Sequence, residues 1–342
     1  MHAAWDEYWR ALCAADRHAA LEVVKRLTAE GVTSRQVIDE LVVPAQARIG
    51  ELWLDDRWSV SQEHAATAIN EGLVHWLGSF APAPQPGQPL VVVSCLEGER
   101  HALPALVIAE GLAASGYRVT YVGGDPEPGD LLRQVLLLKP RAVLFSASLT
   151  SSLGSQKPLL GSIGAIGIPV VVGGQAFGGD GRRARALGAA AYAESVEDVV
   201  RLLRELPERM PVSTPPPATE ADVEAAWIVE YRHEIAPYVG RAVAQRHLGD
   251  GERPGWWREF EDHLDHVLGC LASALVTGDE TIMIEVRDWM EQVLTRRGAD
   301  PSVVAETWQE LAVPLRGHPL ARLYLAGSAA PAVGDGMAEV SV

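Results

Sequence analysis

"LVVVSCLEGERHALPALVIAEG", Leu90 to Gly111, decides the fold. It opens with a Val-rich apolar run of strand length, which suits a strand buried on both faces. From Leu103 the apolar positions change to helical spacing, and the connection between carries Glu97, Gly98, Glu99, Arg100 and His101. Strand, polar loop and helix make the first unit of a parallel sheet with crossovers. Four more runs repeat the plan: RVTYVGG (118–124), RAVLFSA (141–147), IPVVVGG (168–174) and AAAYAES (189–195). Spans such as PGDLLRQVLLLKP (128–140) have helical spacing and connect them. The pattern predicts a doubly wound, five-stranded parallel sheet. Ligands of such sheets bind beyond the carboxyl ends of the strands, at the switch point in strand order.

Pro-rich joints flank this α/β segment, APAPQPGQP (81–89) and PERMPVSTPPPATE (207–220), and both read as semi-rigid linkers. The predicted domains are a helical segment over 1–79, a linker over 80–89 and the α/β domain over 90–206. A second linker follows at 207–218, then a helical domain over 219–330 and a loose tail over 331–342. In the first segment Asp16 is placed to cap RHAALEVVKRLTAEG, which stops at Gly31, and Ser34 to cap RQVIDELVVPAQARIGELW. Ser59 opens SVSQEHAATAINEGLVHWLG, with Gln62 at the capping-box position. With AAWDEYWRALCAA in front, this makes a four-helix bundle. In the third segment Asp279 and Asp300 read as N-caps, and Gly278 and Gly298 as helix stops.

A chain of 342 residues is too long for one core, since single cores seldom grow beyond about 250–300 residues. The net charge of −16 argues against general affinity for nucleic-acid phosphates or anionic membranes. Ten Trp against four Phe favours large flat side chains, which suit flat ligands as well as cores. Cys13, Cys95 and Cys270 are scattered and odd in number, a usage that fits a reducing cytoplasm rather than a disulfide framework. No apolar run reaches membrane-spanning length, so the expectation is a cytoplasmic protein without direct nucleic-acid or membrane partners.

His101 lies on the ligand side of the expected sheet, and Glu99 is placed to accept a hydrogen bond from its imidazole. That arrangement fixes a His tautomer and tunes a metal ligand. Glu99-Arg100-His101 resembles the Asp/Glu-x-His-x-x-Gly motif of cobalamin-binding domains, with Pro104 in place of the motif Gly. The resemblance implies a flavodoxin-like fold and His101 as the lower axial cobalt ligand. It also places Ser146 and Ser148 beside the cofactor's nucleotide tail and Gly173-Gly174 along its path. The Ser segment reads Ser-Ala-Ser rather than the family's usual Ser-x-Leu.

LWLDDRWSVSQEHAATAI (52–69) has Trp53 separated by nine residues from the Glu63-His64 pair. In a four-helix cap before a cobalamin domain, this resembles the light-responsive adenosylcobalamin photoreceptors of the CarH/LitR class, over roughly residues 5–206. The likeness implies Trp53 over the adenosyl group, Glu63 on its ribose hydroxyls and His64 lining the same cavity. Indole is large and flat enough to shield a cobalt–carbon bond, and a carboxylate suits a diol. Those photoreceptors usually carry a helix-turn-helix module, for which this sequence shows no counterpart. Leu54 stands where some members place a His that captures cobalt after photolysis.

The third segment resembles globin-like helices of the phycobiliprotein kind. GWWREFEDHLDHVLGC (255–270) puts Glu259, His263, His266 and Cys270 on one helix face near Trp256. Trp256, His263, His266 and Cys270 are therefore candidate contacts for a bilin such as biliverdin, although a partly solvated amphipathic helix gives the same pattern. Cobalamin cap and domain with a globin-like bilin domain resembles the photocobilins. The resemblance implies a non-enzymatic photoreceptor with two small-molecule chromophores, a homo-oligomer such as a dimer, and a downstream protein partner. Two other readings stay open: a corrinoid methyl carrier of a methyltransferase system, and a cobalamin-responsive adaptor without bilin.

Overall fold

The computed structural model describes residues 2–212, 216–247 and 253–328. The expected 331–342 tail lies outside the described residues, as do residues 213–215 of the second linker. The chain forms two compact units, Met1–Pro217 and Ala218–Val342.

The first unit begins with helices α1 (His2–Cys13), α2 (Arg17–Ala29), α3 (Ser34–Val37), α4 (Val43–Leu54) and α5 (Val60–Gly78). Asp16 accepts the Ala19 N–H at 2.9 Å, and Gly31 ends the second helix at φ +90°. The third helix differs from the sequence reading in two ways. Its N-cap is Thr33, not Ser34, because Thr33 holds extended backbone and closes a capping box with Gln36. Ser34 is already helical, and its hydroxyl donates to the Leu77 carbonyl at 3.2 Å. The expected single helix over 35–53 is also interrupted by a π-turn at Ile38–Val42. Pro44 explains the interruption: it has no N–H to donate one turn back, so the backbone widens before α4 begins. Ser59 and Gln62 form the capping box that starts α5.

The sheet has five parallel strands in the order β2-β1-β3-β4-β5. They are β1 (Leu90–Cys95), β2 (Arg118–Gly123), β3 (Ala142–Ser146), β4 (Val170–Gly173) and β5 (Ala191–Ala193). The crossovers carry α6 (Leu103–Ala114), α7 (Pro128–Leu138), α8 (Lys157–Ala165) and α9 (Arg182–Ala186), and α10 (Val196–Glu205) follows the last strand. Val91 to Cys95 are all buried, as a central strand covered on both faces requires. β1 pairs with β2 on one side and β3 on the other, with Cys95 opposite Ser146. The switch in strand order therefore falls between the loops that leave β1 and β3.

The N-terminal helices are not a separate body. Their core, including Tyr8, Leu12, Leu41, Ile49 and Leu73, continues into Leu103 and Leu106 of α6. Burying each such Leu contributes about 1.5–3 kcal/mol. The helical layer is thus anchored on the helix that directly follows the His101 loop.

The second unit is helical throughout its described residues: α11 (Glu220–His247), α12 (Trp257–Thr277), α13 (Thr281–Arg296), α14 (Ser302–Leu311) and α15 (Pro319–Gly327). Gly278 and Gly298 stop helices at φ +66° and +86°. The N-caps of α13 and α14 are Glu280 and Pro301 rather than the expected Asp279 and Asp300, each of which stands one residue earlier and accepts the backbone N–H two residues onward. The last helix, α15, has no Ser, Thr, Asp or Asn cap. Glu224 of α11 supplies it instead, accepting the N–H groups of Leu320 at 3.2 Å and Ala321 at 2.7 Å.

Candidate functional site

The loop after β1 is pinned from two sides. Gly98 turns it at φ +78°, a conformation a Cβ would strain, and its N–H donates to Asp125 Oδ1 at 2.8 Å. Asp125 also pairs with Arg100 at 3.2 Å, and its own N–H donates to the Glu99 carbonyl at 2.8 Å. The loop after β2 thus fixes the backbone.

The loop after β3 fixes the side chain of Glu99, which is wholly buried. Its Oε2 accepts the N–H groups of Ser148 at 2.6 Å and Leu149 at 2.7 Å. Its Oε1 accepts the His101 N–H at 2.8 Å and lies 2.6 Å from His101 Nδ1. Burial alone would raise the Glu99 carboxyl, but the His101 ring and these amides outweigh it and hold the carboxyl below its ordinary value. The same hydrogen bond raises His101 against the effect of its own burial, and the nearby Glu63 carboxylate adds to the rise. With Nδ1 donating to a carboxylate, the His101 lone pair is on Nε2, and the ring is half-exposed.

That arrangement suits a metal delivered inside a macrocycle. Among the described residues no group of three His, Cys, Asp or Glu could hold an ion. A single imidazole with an outward Nε2, held by a buried carboxylate, supplies one axial ligand, and a corrin would supply the ring nitrogens. The residues therefore fit such a group.

The other expected residues fall as follows. Ser146 is nearly buried at the end of β3, and Ser148 contributes its backbone N–H to Glu99. Gly173 ends β4 and Gly174 follows it, and a Cβ on them would come within 2.5 Å of the Ala193 carbonyl and 2.3 Å of the Ala147 carbonyl, respectively. Gly174 also sits at φ +100°, so the backbone turn itself demands glycine here, a requirement the tail-path reading does not contain. Glu63 is partly buried in the first turn of α5, and Thr67 donates to its Oε1 at 2.7 Å. Its charge is the smallest of the contributions that raise His101. His64 is mostly exposed, 3.5 Å from Glu63 Oε2, and Trp53 is partly buried at the end of α4. Asp125 and Thr67 were not singled out by sequence reasoning. Asp125 lies beside the Gly123-Gly124 turn and Thr67 one turn after Glu63, which are the local signals that could have found them.

In the second unit, α12 brings three of the four bilin candidates together. The rings of His263 and His266 both pack on Trp289, at 4.7 and 5.1 Å, and Cys270 Sγ lies 3.6 Å from His266 Nε2. Cys270 is buried, and Trp256 packs among Trp257 and Phe260. Glu259, on the same face, pairs with Arg297 at 2.6 Å.

Residues 89–203 match the B12 binding domain family, and residues 4–77 match a second family with the same description. Trimethylamine corrinoid protein 1 of Methanosarcina acetivorans is 25% identical over 55% of this chain and 90% of its own length. The HTH-type transcriptional repressor CarH of Myxococcus xanthus is 30% identical over 41% of this chain, which spans about half of that relative, 48%. The solved structure of the Methanosarcina barkeri monomethylamine corrinoid protein shares the fold at TM-score 0.52 and 19% identity, over 60% of this chain and 99% of the other.

Two expectations follow. Glu99→Gln removes the charge that holds His101, and titration with aquocobalamin followed by absorbance is expected to show affinity about 10–100-fold lower; unchanged affinity would refute the positioning role. His263 is depressed from 6.5 to about 4, by burial first and by Arg297 second. A lowered His means that the unfolded chain binds the extra proton, so this stabilisation is complete above pH 6.5 and falls as pH drops towards 4. The loss is of order 3 kcal/mol, and thermal melts of wild type and His263→Leu at pH 7 and 5 are expected to show the wild type losing more. The site and the family matches together support a cobalamin-binding protein.

Proposed function

We propose that the protein is a light sensor that binds adenosylcobalamin in its first unit and a bilin, such as biliverdin, in its second. The observation that supports the first half is the Glu99–His101 pair in the loop after β1, where a wholly buried carboxylate lies 2.6 Å from the imidazole Nδ1. Glu63, in the first turn of α5, adds a smaller rise to the same imidazole. His101 would be the lower axial ligand. Trp53, Glu63 and His64 would face the other side, with Glu63 taking the ribose hydroxyls and the Trp53 indole excluding water. Ser146, Ser148, Gly173 and Gly174 would line the path of the nucleotide tail.

When bound, adenosylcobalamin supplies a cobalt–carbon bond that light breaks. Loss of the nucleoside would then remove the hydroxyls that Glu63 holds, and with them a contact that distinguishes the dark state of the helical layer. In this reading the protein is no enzyme. It acts as a homo-oligomer in the cytoplasm and passes the signal to a further protein rather than to nucleic acid. The bilin half rests on the His263, His266 and Cys270 group around Trp289, in a helical unit of globin-like kind.

A second reading, a corrinoid methyl carrier, is favoured by the 90% of a trimethylamine corrinoid protein that the chain spans. A methyl ligand, however, has no hydroxyls for Glu63, and that match covers only 55% of this chain. Reconstitution separates the two. The sensor is expected to bind adenosylcobalamin more than tenfold tighter than methylcobalamin, to change its corrinoid spectrum under green light, and to gain a red band with biliverdin. Equal affinity for both cobalamins, with methyl exchange indifferent to light, would establish the carrier instead.

A further inference from the structure

Inside the N-terminal helical layer runs a row of polar side chains that neither the fold nor the cofactor chemistry yet accounts for. Tyr8 on α1 is wholly buried, and its hydroxyl donates to Asn70 Oδ1 at 2.6 Å. Asn70 on α5 is wholly buried as well, and its Nδ2 donates to Gln46 Oε1 at 2.8 Å. Gln46 on α4 donates through Nε2 to Thr67 Oγ1 at 2.8 Å. Thr67 then donates to Glu63 Oε1 at 2.7 Å.

The direction of this chain is forced. A carboxylate can only accept, so Thr67 must spend its single hydroxyl hydrogen on Glu63. Gln46 must therefore turn its NH2 towards Thr67 and its oxygen towards Asn70. Asn70 must in turn offer its NH2 to Gln46 and its oxygen to Tyr8. Burial pushes the Tyr8 hydroxyl well above its ordinary range, so the far end remains a donor. Every polar atom along the row has its partner, and the chain ties α1, α4 and α5 to one carboxylate oxygen. The other oxygen, Oε2, faces the partly open side, near His64.

We propose that Thr67, Gln46, Asn70 and Tyr8 are positioning residues that clamp Glu63 through Oε1, presenting Oε2 to ligand hydroxyls and setting the preference for a nucleoside-bearing cobalamin. The inference deepens the proposed function and rests on it. An unclamped Glu side chain would lose rotamer freedom on binding, and the relay removes that cost beforehand. A network that only stabilised the bundle would affect every cobalamin alike.

The test compares dissociation constants for adenosylcobalamin and methylcobalamin in the dark, using the full chain and variants whose fold is checked by circular dichroism. Thr67→Val keeps the shape and removes the hydroxyl, Gln46→Met keeps the length and removes the amide, and Thr67→Ser restores the donor. The first two are expected to lower the adenosyl-to-methyl preference about tenfold, and Thr67→Ser to keep it. An unchanged preference in Thr67→Val, or equal weakening of both cobalamins, would overturn the relay. A crystal structure of ligand-free Thr67→Val gives a readout independent of the cofactor. The Glu63 carboxylate should leave its wild-type position, and its retention would overturn the proposal. A wild type with no adenosyl preference would count against the functional reading instead, and the ligand-free crystal structure would then decide the relay alone.

Discussion

A buried carboxylate is the constraint on which the site depends. Removing an ionised group from water costs several kcal/mol unless hydrogen bonds replace the lost solvation. Glu99 is wholly buried and receives that replacement from His101 N–H, His101 Nδ1 and the N–H groups of Ser148 and Leu149. The first two donors belong to the loop after β1, the last two to the loop after β3. One side chain therefore spans the gap where strand order switches, and it fixes the tautomer of His101 as well. The hydrogen bonds that make the burial tolerable are also those that aim Nε2 outward.

A second carboxylate, Glu63, lies in the first turn of α5. It too is held from behind, by Thr67, in a helix whose neighbours share a core with α6. Of the two carboxylates, Glu99 directs the His101 imidazole, and Glu63 accepts the Thr67 hydroxyl. A trimethylamine corrinoid protein and an HTH-type transcriptional repressor both stand among the relatives.

The sheet was legible because its signal is local. A strand buried on both faces must be apolar almost throughout, and Val91–Cys95 is. The Ser59–Gln62 capping box was legible for the same reason, since donor and acceptor lie within one turn. Pro44 lay in plain view, but whether a proline kinks, ends or widens a helix depends on packing elsewhere, and here the backbone takes a π-turn. The cap of α15 was hidden because Glu224 comes from nearly a hundred residues away. Within the site, the Glu99–His101 pair followed from spacing. The role of Ser148 did not, because its backbone is the donor and sequence speaks of side chains. Gly173 and Gly174 were found through the resemblance, yet the steric demand at those positions comes from the carbonyls of Ala193 and Ala147.

The account stands or falls on His101 as the group beneath cobalt. The direct measurement is the electron paramagnetic resonance spectrum of the cobalt(II) form, prepared with nitrogen-15 histidine in the protein and unlabelled cobalamin. Axial nitrogen splits each cobalt line, into a triplet for nitrogen-14 and a doublet for nitrogen-15. The account predicts doublets in the labelled protein. Persistent triplets would assign the lower ligand to the cofactor's own base, and lines without nitrogen splitting would leave cobalt with no imidazole at all.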